Sequence, residues 1–118
     1  MDDTTFCPVS EAIQLLQEKW NLHLIRALIP GPMGFNELGR AAGGVNPATL
    51  AQRLDRLEEL GLVTRTVEQV MPPRTSYRLT EAGLELQQVI AAIDCWARAR
   101  ITGKLVRGAQ VTQRVDVA

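Results

Sequence analysis

Apolar residues recur along this chain at two spacings, and the change from one to the other outlines its elements. In PVSEAIQLLQEK, Val9, Ala12, Ile13 and Leu16 fall at helical spacing and form one stripe. Pro8 suits the first helical position, where its missing N–H would have no partner anyway. NLHLIRALI repeats the pattern with Leu22, Ile25, Leu28 and Ile29, and Pro30-Gly31-Pro32 breaks it. FNELGRAA predicts a short third helix, with Asn36 as its cap, that ends at Gly43-Gly44. A fourth helix is predicted from Asn46 to Leu60. Asn46 caps it, Pro47 opens it, Leu50, Leu54 and Leu57 face inward, and Gly61 ends it in a left-handed conformation.

The spacing then changes to two. Val63, Arg65 and Val67 alternate with Thr64 and Thr66; Thr75, Tyr77 and Leu79 alternate with Ser76 and Arg78. A loop near Glu68 to Arg74, punctuated by Pro72-Pro73, joins the two strands. Thr80 caps a last, long helix through Arg100, with Glu81 in its first turn, where an acid complements the helix dipole. The order is four helices, a β-hairpin and a helix. The predicted fold is mainly α with a small β-hairpin (α+β): a helix-turn-helix with an appended wing. Residues 1–103 are expected to form one such domain, and 104–118, which show no period, a tail.

Composition narrows the function classes. The chain has 118 residues, enough for one core without disulfides or metals. Its two cysteines, Cys7 and Cys95, form no CxxC pair, and His23 is the only histidine, so a structural zinc site lacks ligands. No metal, cofactor or catalytic set is predicted: there is no nucleophile with a base and no phosphate loop. The acidic start MDDTTFC is wrong for a secretion signal, and no run approaches the ~20 apolar residues of a membrane span. A cytoplasmic protein with free thiols, making no membrane contact, is expected. Thirteen basic residues balance thirteen acids. Between Arg40 and Arg78, however, six arginines meet four acids.

The fourth helix carries the candidate chemistry. Opposite its leucines, Thr49, Gln52, Arg53 and Arg56 share a face. Arg can pair with guanine, Gln with adenine, and Thr can touch a thymine methyl. Asn46, Pro47, Ala48, Thr49 and Gln52 lie in the turn that would approach base edges. Arg53 and Arg56 could reach bases or phosphates, although such a face alone also describes an ordinary solvated surface. Asn36 and Arg40, on the preceding helix, are candidate backbone contacts. Arg74 and Thr75, beside the prolines of the wing, suit a phosphate or a minor groove. The last helix bears more apolar residues than one stripe needs, among them Leu86, Val89, Ile90, Ile93 and Trp96. At ~20 residues it spans roughly 30 Å, more than a core of this size covers. A second copy of the chain is the expected cover, with Val9 and Ile13 of the first helix contributing.

CPVSEAIQLLQEKWN, GPMGFNELGRAAGGVNPATLAQRLDRLEELGLVTR and MPPRTSYRLTEAG, in this order, resemble the HxlR family of bacterial regulators over roughly residues 6 to 97. The resemblance implies a homodimeric winged helix that binds palindromic operator DNA and represses or activates nearby genes. It places recognition on Pro47, Ala48, Thr49, Gln52 and Arg53, and the wing contacts on Arg74 and Thr75. It also implies a small-molecule or redox effector, because some members sense oxidants or electrophiles through the cysteine of the Cys-Pro start, here Cys7. A thiol just before a helix lies at the positive end of its dipole, a setting in which reactive cysteines occur. Cys7 could equally be a small packing residue, and packing is the expected role of Cys95. The balanced charge leaves one competing reading, a winged helix that binds protein and not DNA.

Overall fold

The computed structural model describes residues 7–101. The predicted tail, 104–118, lies outside them. The elements are α1 (Pro8–Leu16), α2 (Asn21–Leu28), β1 (Met33–Gly34), α3 (Phe35–Ala41), α4 (Pro47–Glu59), β2 (Val63–Gln69), β3 (Arg74–Leu79) and α5 (Glu81–Arg100). The chain divides into two compact units, Met1–Glu85 and Leu86–Ala118.

In the first unit the expected order holds with one addition. The hairpin is part of a three-stranded antiparallel sheet in the order β1-β3-β2. Met33 pairs with Tyr77 and Gly34 with Ser76 on one side of β3; Val63 pairs with Leu79 and Val67 with Thr75 on the other. A strand of two residues is too short to show alternation, so nothing in the local pattern marks β1.

The core gathers Leu24, Ile25 and Leu28 of α2, Leu38 of α3, Ala42, Val45, the three leucines of α4, and Val63, Tyr77 and Leu79 of the sheet. On α2 the buried stripe is Asn21, Leu24, Ile25 and Leu28, and Leu22 and Ile29 are only half-buried. The fully buried Asn21 takes the place that the pattern gave to Leu22. Its Nδ2 donates to the Leu15 carbonyl at 2.9 Å, while its buried Oδ1 has no hydrogen-bond partner, so the amide is only half satisfied.

Local chemistry sets the ends of α4. Asn46 Oδ1 accepts from the N–H groups of Ala48 (2.8 Å) and Thr49 (3.3 Å), and Pro47 follows at the first helical position. At the other end Gly61 takes φ +77°; its N–H bonds to the Glu58 carbonyl and that of Leu62 to Leu57. This paired closure needs a residue that tolerates positive φ. Thr80 Oγ1 donates to the Gly61 carbonyl (2.6 Å) and accepts from the Gly83 N–H (3.1 Å), which fixes the start of α5 to the end of α4. The expected cap on α3 is corrected: Gly34 occupies that position, and Asn36 is an exposed second residue of the helix. The β1 strand runs directly into α3, which moves the helix start two residues upstream.

Candidate nucleic-acid interface

The packing of α4 decides which of its residues meet solvent. Its leucines are fixed against the core, so the capping turn at its N-terminus is left outside. Asn46, Pro47, Ala48 and Gln52 are exposed and Thr49 is half-buried. The preceding turn carries Gly43 and Gly44 at φ +118° and +85°, angles that β-carbon residues rarely adopt. It lets α3 and α4 cross so closely that a β-carbon on Gly39 would lie 3.1 Å from Leu50. A shallow depression where they meet is lined by Asn36, Arg40, Gly44 and Pro47. Asn36 and Arg40, both exposed, are thus gathered with the start of α4.

Arg53 and Arg56 are differently placed. Both turn to Glu18, in the turn between α1 and α2. Arg53 Nη1 lies 3.2 Å from Glu18 Oε1; Arg56 donates from Nε to Oε1 (3.3 Å) and from Nη2 to Oε2 (3.2 Å). Asn21 Nδ2 reaches the same Oε1 at 3.4 Å. The hydrogen bond from Arg56 is the main reason that the Glu18 carboxyl is held below the usual carboxylate range; partial burial opposes it, and the charges of Arg56 and Arg53 and the Asn21 contact assist. Sequence reasoning missed Glu18. It stands thirty-five and thirty-eight positions from its partners, so no local spacing marks it.

At the wing, Arg74 opens β3 and is exposed, while Thr75 is half-buried and paired with Val67. The hairpin also leaves Val67, Val70 and Met71 largely exposed. Cys7 caps α1 without a side-chain hydrogen bond, and its thiol is exposed. Cys95 is exposed as well among the described residues. Val9 and Ile13 are exposed on α1. In the second unit Val89, Ile93 and Trp96 are exposed on α5, whereas Leu86 and Ile90 are half-buried. Among the described residues no group of His, Cys, Asp and Glu could hold a metal ion, and no helix is long and apolar enough to cross a membrane.

The family model described as HxlR-like helix-turn-helix matches residues 15–104. The HTH-type transcriptional regulator YodB of Bacillus subtilis is 37% identical over 94 residues, 79% of this chain and 84% of YodB. The HTH-type transcriptional regulator sll1512 of Synechocystis is 37% identical over 87 residues, 74% of this chain and 64% of that protein's length. Among solved structures, reduced YodB superposes with a TM-score of 0.69 at 35% identity, covering 79% of this chain and 92% of that one. The redox regulator HypR in its oxidised form gives 0.70 at 33% identity, with 80% and 97% covered.

Proposed function

Because the chain belongs to the HxlR-like helix-turn-helix family of transcription regulators, we propose that it binds operator DNA as a cytoplasmic homodimer. The observation that carries this reading is the open N-terminal turn of α4. Asn46, Pro47, Ala48 and Gln52 are exposed, and Thr49 is half-buried beside them. Gln52 and Thr49 supply hydrogen-bonding and methyl groups suited to base edges. The Ala48 N–H is taken by the cap, which leaves its methyl as the contact surface. Asn36, Arg40 and Arg74 hold the duplex by its backbone, with Thr75 beside Arg74. Arg53 and Arg56 belong to the same face but are bound to Glu18.

Two copies are needed because one α4 reads only half of a palindrome. In the first unit the exposed Val9 and Ile13 on α1, and in the second Val89, Ile93 and Trp96 on α5 with Leu86 and Ile90, supply apolar residues for that pairing. HypR is a redox regulator, and this favours Cys7, exposed at the start of α1, as a sensor of oxidants or electrophiles. The signal would reach DNA through the helix that Cys7 begins.

The test is a salt series. Affinity for a labelled duplex falls steeply as salt rises, because counterions return to the phosphates. A chain that ignores duplex DNA even at low salt is instead a winged helix that binds protein, and the reading fails.

A further inference from the structure

Glu18 is the one carboxylate to which two arginines of α4 both turn among the described ion pairs. Both of its oxygens are engaged. Oε1 accepts from Arg53, Arg56 and Asn21, and Oε2 accepts from Arg56. Arg53 gives Glu18 one donor, Nη1, and Arg56 gives two. Arg56 spends Nε and Nη2 on Glu18, and its Nη1 lies 3.9 Å from Glu59. The Glu18 and Arg53 side chains are each 26% exposed, and that of Arg56 42%. Glu18 is also steadied from behind, since Asn21 is fully buried and donates to the Leu15 carbonyl as well.

A carboxylate that takes two parallel N–H bonds from one guanidinium offers the geometry that a phosphate offers. An arginine in that embrace cannot give the same donors to DNA. We propose that Glu18 is an internal counterion for α4: it holds Arg53 and Arg56 where DNA phosphates would otherwise hold them. The helix then meets the duplex mainly through Asn46, Pro47, Ala48, Thr49 and Gln52, and the chain neutralises fewer phosphates than its arginines allow. Sequence-blind attraction is reduced, and discrimination by the uncharged residues weighs more. The proposal rests on the DNA-binding reading.

The experiment uses the full chain and a fluorescein-labelled duplex of random sequence, with affinity measured across a salt series. Glu18→Gln keeps the side-chain shape and removes the charge. It binds the duplex more tightly than the unsubstituted chain. Its dependence of log affinity on log salt steepens by about 0.9 for each additional phosphate neutralised, up to about two phosphates. Adding Arg53→Gln and Arg56→Gln to Glu18→Gln cancels the increase. In a separate variant, Glu18→Ala removes the same charge without an amide in its place and steepens the slope likewise, which tests the idea even where Glu18→Gln folds poorly. An unchanged slope or weaker binding in a folded Glu18→Gln or Glu18→Ala protein overturns the proposal. If the unsubstituted chain binds no duplex at low salt, the DNA-binding reading fails first and the proposal falls with it.

Discussion

Cys7 stands at the N-cap of α1 but contributes no capping hydrogen bond, and its thiol is exposed. Chemistry at the sulfur therefore breaks no bond that holds the helix start, and it places new polar atoms one residue before Pro8. If α1 helps to form the dimer, oxidation at Cys7 weakens duplex binding severalfold. Cys95, also exposed, is the internal control. Mild thiol oxidation of the unsubstituted chain and of Cys95→Ser lowers duplex affinity, and Cys7→Ser abolishes the response. Retention of the response in Cys7→Ser would remove Cys7 from the mechanism. At this scale the sequence is most readable where a residue acts on its neighbours. Asn46, Gly61 and Thr80 do what their positions predict, since a cap is a matter of two or three residues. Asn21 and Glu18 are opaque for the opposite reason. Their roles depend on what folding brings to them from other elements, and a polar residue inside a helical stripe looks like an interruption of it.

Packing between elements explains Gly83, the buried residue of α5. A β-carbon there would run into the Leu62 carbonyl oxygen and would lie 3.0 Å from Leu79 Cδ2 and 3.2 Å from Leu79 Cβ. Thr80 has already fixed this turn through its bonds to Gly61 and Gly83, so the helix cannot simply step away. Helix propensity alone makes Gly83→Ala stabilising by about 1 kcal/mol. The close approach reverses the sign. We expect Gly83→Ala to lower stability by about 2–3 kcal/mol, on the scale of other overpacked sites, in urea unfolding followed by circular dichroism. A rise in stability would show that the helix start shifts freely. The alternation of β2 and β3 and the stripe of α4 were both visible in the sequence. The two-residue β1 was not, because its pairing to β3 is set by Tyr77 and Ser76 far along the chain.

For the molecule as a whole, charge and apolar surface point to different partners. The net formal charge is zero, so affinity for DNA cannot come from a general excess of arginine and lysine. On the proposed reading it comes from placement and from doubling. Doubling is worth a great deal, because the second half of a two-headed protein binds at a high effective concentration, and avidity exceeds either head's affinity by about 10²–10⁴-fold. In the second unit, Ile93 is 47% exposed and Trp96 55% exposed. With Val89 they follow at i, i+4 and i+7, one face of a helix. Ile93→Asp puts a charge on this face, where burial against another apolar surface would leave it unpaired. We expect the unsubstituted chain to sediment as a dimer and Ile93→Asp as a helical monomer with a circular dichroism spectrum like that of its parent. Its affinity for a palindromic site falls by two or more orders of magnitude, while its weaker binding to random duplex changes less. The two measurements have to move together. A monomer that still held a palindrome as tightly as the parent would mean that one α4 suffices. A dimer unaffected by Ile93→Asp would place the contact elsewhere, because no charged side chain is tolerated at the centre of an apolar interface without a partner.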